Sequence, residues 1–366
     1  MNREASVRVL IVDDSLTVRK KLTEVLSRDQ GVEVVGEAAD GRRGIELCRE
    51  LRPDVLTMDM AMPAMSGLAA TEYIMAYCPT PIVIVSASMN RGDLFHTYDA
   101  LAAGAVDVLD KPPADGLDEA WERRFLATIK IAARVRAVTH PRAKLAAGRP
   151  ETPGPSGEAF TAGAGPADVP RSLLAIGAST GGPGAITELL RGLRPRFSLP
   201  ILIVLHIGEP FASAFAEWLG AQTSFRVTNA VDAEPLPSSG QARVVLAPPD
   251  RHLVVERGRL RLTADPPRHQ CRPAVDVLFE SLAVEHGPGT VACLLTGMGK
   301  DGALGLLALR HAGAMTIAQD EESSIVFGMP REAILLGAAC RTLPLDGMAP
   351  AIVEMTAGSL AARRAP

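Results

Sequence analysis

The chain has 366 residues, 47% hydrophobic and 22% charged, with 38 Lys and Arg against 42 Asp and Glu for a formal net charge of -4. That length exceeds one ordinary domain and suits two, each with its own core. There is no excess of base to hold nucleic acid and no apolar stretch long enough to span a bilayer, so neither nucleic-acid binding nor membrane insertion is expected.

The start, Met1-Asn2-Arg3-Glu4, runs almost at once into a strand-like segment, and export is not expected. Short runs rich in Val, Ile and Leu at 7–12, 32–38, 54–58, 81–86 and 105–109 alternate with helical patterns such as 16–28, 94–103 and 118–138. Five such βα units predict a doubly wound parallel sheet over 1–138. Residues 139–170 are dominated by Pro, Gly and Ala and bury too little to order themselves, which predicts a flexible linker. The rhythm resumes over 171–360 with runs at 172–177, 200–205, 225–229, 243–247, 290–296 and 314–319, so a second α/β domain is expected. Segments 252–256 and 259–263 alternate around Arg257-Gly258 and predict a β-hairpin inserted into the otherwise parallel order. Five cysteines, Cys48, Cys78, Cys271, Cys293 and Cys340, show no Cys-x-x-Cys spacing and read as free thiols in a reducing cytoplasm, with no disulfide framework or structural zinc site.

In the first half, Asp13 and Asp14 end the first strand, Asp59 the third and Ser86 the fourth, while Lys111 follows the fifth. Strand ends of a doubly wound sheet converge, and three carboxylates gathered there repel unless a divalent cation sits among them. Oxygen donors suit Mg2+, with which Lys111 would neutralise a phosphoryl group on Asp59 while Ser86 hydrogen-bonds it. Any single Asp here reads more simply as a helix cap; five matching strand ends favour the phosphoryl site. The segment 9–112 resembles a response-regulator receiver domain of flavodoxin-like fold. The resemblance implies that Asp59 is the phosphoacceptor, that Asp13 and Asp14 help bind Mg2+, and that Ser86 and Lys111 sense the phosphoryl group. Ala61 and Val108 depart from the commonest receiver pattern, which often has a polar or acidic residue and an aromatic there.

In the second half, Gly177-Ala178-Ser179-Thr180-Gly181 fits the Gly-x-Ser-x-Gly pattern that exposes a nucleophilic serine on a sharp strand-to-helix turn. With Gly184 the same stretch also fits a dinucleotide turn. That reading is disfavoured, because the next strand ends in His206 rather than an acid and all three tyrosines, Tyr73, Tyr77 and Tyr98, lie in the first half. A serine nucleophile needs a base and an orienting acid. His206 shares the sheet edge with Ser179, and Asp301 follows a buried strand through the glycine-rich turn 297–302. Asp301 also reads as a helix cap for 302–311, compatible with a catalytic role. The amide near Met298 offers an oxyanion donor. His252, His269, His286 and His311 fall at positions where a locally bonded imidazole is the default. A pairing of Asp232 or Asp276 with His286 or His311 stays a distant alternative.

The segments 175–182, His206, 272–279, 295–302, 317–320 and 326–330 together resemble the chemotaxis protein-glutamate methylesterase family, in the same order. The resemblance implies two doubly wound α/β domains, receiver and Rossmann-like hydrolase. It implies hydrolysis of glutamate methyl esters on methyl-accepting chemotaxis receptors with release of methanol, deamidation of receptor glutamines, and a chemotaxis histidine kinase as phosphodonor. It assigns Ser179 as nucleophile, His206 as base, Asp301 as orienting acid and the Met298 amide to the oxyanion hole, with no cofactor for the hydrolase. It also implies that the unphosphorylated receiver restricts the hydrolase and that phosphorylation relieves this. Glu209, after His206, departs from the family. Rival readings are a receiver joined to a hydrolase-fold scaffold or phosphate sink, and an esterase acting on another signalling protein.

Overall fold

The computed structural model describes residues 6–87, 91–112, 118–135, 169–193, 197–209, 211–223, 225–240 and 242–362. The chain divides into two compact units between residues 154 and 155. The linker expected over 139–170 lies outside the described residues apart from Val169 and Pro170, as do residues 136–138 of the helix expected over 118–138.

The first unit alternates β1 (Val7–Val12), α1 (Leu16–Ser27), β2 (Val32–Ala38), α2 (Gly41–Leu51), β3 (Val55–Met58), α3 (Gly67–Tyr77), β4 (Ile82–Ser86), α4 (Arg91–Ala102), β5 (Asp107–Asp110) and α5 (Glu119–Ala132). All its strands are parallel, in the order β2-β1-β3-β4-β5. Strands β3 and β4 are buried along their whole length, as a sheet covered by helices on both faces requires, and that is why they read as unbroken apolar runs. Polar side chains start the helices: Ser15 Oγ accepts from Val18 N at 3.4 Å before α1, and Asp40 Oδ1 accepts from Arg43 N at 2.9 Å before α2. The strand order reverses between β1 and β3, so the crevice at their carboxyl ends is where this sheet holds its chemistry.

The second unit runs β6 (Leu173–Ala178), α6 (Gly182–Leu193), β7 (Ile201–Leu205), α7 (Phe211–Thr223), β8 (Arg226–Asn229), β9 (Arg243–Leu246), β10 (His252–Glu256), β11 (Arg259–Thr263), α8 (Val275–Glu285), β12 (Thr290–Leu294), α9 (Ala303–His311), β13 (Met315–Gln319), α10 (Met329–Leu335), β14 (Arg341–Leu343) and α11 (Leu345–Ala362). Seven strands form a parallel sheet in the order β14-β13-β12-β6-β7-β9-β8. The hairpin forms at the expected residues but as a two-stranded sheet of its own, leaving the parallel order uninterrupted. It is tied to α8, with Val255 N donating to Ser281 Oγ at 3.0 Å and Arg257 N to Glu285 Oε2 at 2.9 Å. Phe279 of α8 is fully buried in the core beneath it, and its truncation to Ala would cost about 3–5 kcal/mol. The order reverses between β6 and β12, which brings the segments after both strands to one crevice. No helix among the described residues is long and apolar enough to cross a membrane.

Candidate active site and phosphoryl-acceptor site

In the first unit the expected residues converge. Lys111 Nζ lies 2.9 Å from Asp13 Oδ2 and 3.0 Å from Asp59 Oδ2, and both carboxylates are buried. Asp14 is exposed, yet Asp13, Asp14 and Asp59 each offer an oxygen within 4.8 Å of the others. Ser86 is buried at the end of β4, and its carbonyl accepts from Lys111 N at 3.2 Å, so adjacent strand ends hold the two residues together. Burial pushes Asp59 above the usual carboxylate range, against the pull of the Lys111 ammonium. Burial works against the charge on Lys111, but Asp13 and Asp59 outweigh it and raise its pKa. The buried Oδ2 atoms of Asp13 and Asp59 meet Lys111 and take no other hydrogen bond among the described residues. Three carboxylates against one ammonium leave the cluster anionic, and its all-oxygen donor set fits a hard divalent cation such as Mg2+.

In the second unit Ser179 follows β6 and His206 follows β7, and the strands lie side by side with Ala178 opposite Leu205. His206 N donates to Ala178 O at 3.0 Å, and Ser179 N to Thr296 O at 3.0 Å, so the backbone fixes both residues against the turn after β12. Ser179 is half-buried and does not have a positive φ; Gly181 carries the left-handed conformation of this turn, at φ 78°. The strain that marks the α/β-hydrolase serine turn therefore sits two residues on, where it costs little.

His206, 13% exposed, meets Asp301, 2% exposed, through Nε2 and Oδ2 at 2.8 Å. The helix cap that Asp301 also offered in the sequence does not form, because α9 starts at Ala303 after Gly302 with no side-chain cap. Asp301 instead turns to α8, where Oδ2 accepts from Val275 N at 2.6 Å and Oδ1 from Asp276 N at 3.0 Å. Burial alone would raise the Asp301 pKa. His206 and the two amides outweigh it and hold the carboxyl below its ordinary value. Burial likewise opposes a charge on His206, but Asp301 and Cys271 outweigh it and its pKa is pushed up to about 9. With Nε2 committed to Asp301, the nitrogen left to take a proton is Nδ1.

The turn after β12 is clamped from outside. Gly297 O accepts from Gly328 N at 3.1 Å and Met329 N at 2.9 Å, and Gln319 Oε1 accepts from Thr296 N at 2.8 Å. A side chain at Gly297 would meet Ser179 Cβ at 2.8 Å as well as the sulfur of Met329, so only glycine lets the turn press against the serine. The Met298 amide donates to no hydrogen bond among the described residues, and the Met298 side chain is 46% exposed.

The other candidates are occupied elsewhere. His252 is buried, with Nδ1 accepting from Ala274 N at 3.1 Å. Asp232 Oδ1 accepts from Leu262 N at 3.0 Å in the hairpin, and Asp276 bonds His269 Nε2 at 3.0 Å rather than His286 or His311. Burial lowers the His286 pKa. Glu209 is exposed. Two residues beside the site stand in places the sequence did not suggest: Asp276, considered only as a distant alternative acid, has Oδ1 accepting from Gly305 N at 2.7 Å, and Cys271, considered only as a free thiol, has Sγ 3.7 Å from His206 Nδ1.

The family model described as CheB methylesterase matches residues 174–352, and that described as response regulator receiver domain matches residues 9–120. A protein-glutamate methylesterase/protein-glutamine glutaminase of Geobacter metallireducens is 43% identical over 356 residues, 95% of this chain and 99% of that protein. One from Nitrosospira multiformis is 40% identical over 355 residues, 96% of this chain and 97% of that protein. Among solved structures, the Thermotoga maritima CheB methylesterase catalytic domain is similar at 32% identity, over 51% of this chain and 100% of that chain, with a TM-score of 0.48.

Proposed function

The chain belongs to the CheB methylesterase family and carries a receiver domain ahead of its catalytic domain, and from that premise we propose a phosphorylation-activated serine hydrolase. It removes methyl groups from glutamate methyl esters on methyl-accepting chemotaxis receptors, releases methanol, and deamidates selected receptor glutamines. This work belongs to the cytoplasm, where a chemotaxis histidine kinase supplies the phosphoryl group for Asp59.

Ser179 Oγ attacks the ester carbonyl while His206 Nδ1 takes its proton. Asp301 holds Nε2–H and stabilises the imidazolium that forms. The amide of Met298 donates to the oxyanion, and it needs no reorganisation because it has no other partner among the described residues. Collapse of the tetrahedral intermediate breaks the bond to the methoxy oxygen, and His206 returns the proton to it, releasing methanol. Water then repeats the cycle on the acyl-serine to free the glutamate. For a glutamine the leaving group is ammonia.

In the receiver, Asp13, Asp14 and Asp59 would hold Mg2+, which shields the phosphoryl oxygens when bound. Lys111 would neutralise the phosphoryl oxygens, and the Ser86 hydroxyl would hydrogen-bond the phosphoryl group.

The observation that carries the hydrolase reading is the 2.8 Å bond from His206 to Asp301 at the strand end beside Ser179. The test is methanol release from receptor membranes carrying methylated glutamates, with and without a small phosphodonor. Release that rises with donor, vanishes in Ser179→Ala and loses its donor response in Asp59→Asn supports the proposal. No release while Asp59 still becomes phosphorylated overturns it.

A further inference from the structure

Cys271 closes a tight turn in which Arg268 N donates to Cys271 O at 3.0 Å and Cys271 N to Arg268 O at 2.8 Å, with His269 and Gln270 at φ 52° and 65°. The turn fixes the thiol's direction. Sγ lies 3.7 Å from His206 Nδ1 and 3.5 Å from His269 O, Cys271 is only partly buried, and it forms no disulfide. On its far side the imidazole is held through Nε2 by Asp301, itself anchored by two amides. Sulfur and nitrogen are thus both held in place by bonds that do not involve each other.

A tetrahedral zinc ion with bonds of about 2.3 Å to sulfur and about 2.0 Å to nitrogen sets those two donors roughly 3.5 Å apart. The observed 3.7 Å needs almost no adjustment. A metal-bound histidine ordinarily donates its other N–H to a carboxylate, which orients the ring and makes it a better ligand; Asp301 already stands in that position. One donor atom from each of His206, Cys271 and Asp301 lies within 4.8 Å of the others. The neighbouring trio of His269, Asp276 and Asp301 is less suited, because an oxygen of each carboxylate is committed to a backbone amide.

We propose that Cys271 Sγ and His206 Nδ1 form a site for a thiophilic divalent cation of the zinc class, whose binding silences the hydrolase. On binding, the Cys271 thiol gives its proton to solvent, S–metal and N–metal bonds form, and water fills the remaining positions. The nitrogen that would receive the serine proton is then occupied. With two protein ligands, the site binds reversibly and more weakly than a four-ligand structural zinc site. Metal binding stands without the esterase reading; the loss of activity rests on it.

The test uses the full chain at about pH 8 with excess Mg2+ to occupy the receiver carboxylates. Titration with Co2+ gives a sulfur-to-cobalt charge-transfer absorption that Cys271→Ser and Cys271→Ala both lack, and Zn2+ displaces it. Zn2+ inhibits methanol release, chelator restores it, and the half-inhibitory concentration rises at least tenfold in both variants, each read against its own metal-free rate. Absence of the thiolate band in the unmodified chain, or equal zinc sensitivity in chain and variants, overturns the proposal. A chain that shows the band with Co2+ but hydrolyses nothing when metal-free leaves the site standing and removes the esterase reading instead.

Discussion

Asp301 and Asp276 each cap the helix that the other begins. Asp301, just ahead of α9, accepts the first amides of α8, while Asp276, in the first turn of α8, accepts from Gly305 N in the first turn of α9. Each carboxylate sits at the positive end of its neighbour's helix, which offsets part of the cost of burying it. Their environments push them apart: Asp301 is held low by His206 and amides, whereas burial, with the Asp301 charge adding to it, raises Asp276.

Replacing the two acids differently should therefore separate stability from chemistry. Asp301→Asn keeps an oxygen for capping but loses the charge that orients His206, so hydrolysis should fall by about 10³–10⁴-fold. Asp276→Ala, which removes the oxygen that accepts from Gly305 N, should cost about 1–2 kcal/mol in stability, the range of a lost cap, with a smaller effect on rate. Denaturant unfolding measured alongside methanol release checks both; equal rate losses would break the distinction.

The pH profile follows from His206. In the proposed role of base it must be neutral, and its pKa is pushed up to about 9, so hydrolysis should climb as pH rises from 7 toward 9. Cys271→Ala removes one of the interactions that raise this value and should move the inflection to lower pH. For stability the sign is opposite. A raised histidine contributes in full below its unfolded value of about 6.5, and that contribution is lost as pH rises through about 9. A rate that peaks near pH 6 would contradict this account.

Gly297→Ala tests the turn against Ser179. The added methyl meets Ser179 Cβ and Met329, so one of them must shift, and the serine is the proposed nucleophile. The rate constant kcat should drop about 100-fold, since small displacements are costly in positioned reactions, while KM changes little. Circular dichroism and paired kcat and KM values make the comparison.

Chelating divalent cations should stop phosphorylation of Asp59 by a small phosphodonor, and Asp13→Asn should reduce it at least tenfold. Both deprive the phosphoryl oxygens of their countercharge. Incorporation of labelled phosphoryl group, read on unheated protein, measures each. Undiminished labelling in chelator would remove Mg2+ from the account.

Much of this was legible because strand ends are. Asp13, Asp59, Ser86, Ser179 and His206 end or follow largely buried runs, which announce themselves as short stretches rich in Val, Ile and Leu. The sheet then brings those ends together whatever the loops contain. Contacts between elements were not legible. The cap on α9 that the sequence offered as an alternative role for Asp301 does not form, because Gly302, at φ 87°, turns the chain and the carboxylate faces α8. Cys271 looked like an ordinary thiol because its neighbour His206 is distant in sequence. Strand β14 escaped notice because three residues, two of them exposed and polar, carry no period.

The central place of β6 has a consequence for how the domain comes into being. One neighbour of β6 is β7, the next strand made, but the other is β12, which appears only after the hairpin and α8. Pairings across so much intervening chain must meet their loop-closure cost before any contact rewards them, and they form slowly. On the ribosome, Ser179 and His206 emerge well before Asp301. A chain interrupted between His206 and Asp301 carries the proposed nucleophile and base without the carboxylate proposed to orient them, so an unfinished copy should act poorly on esters until nearly the whole domain has been made.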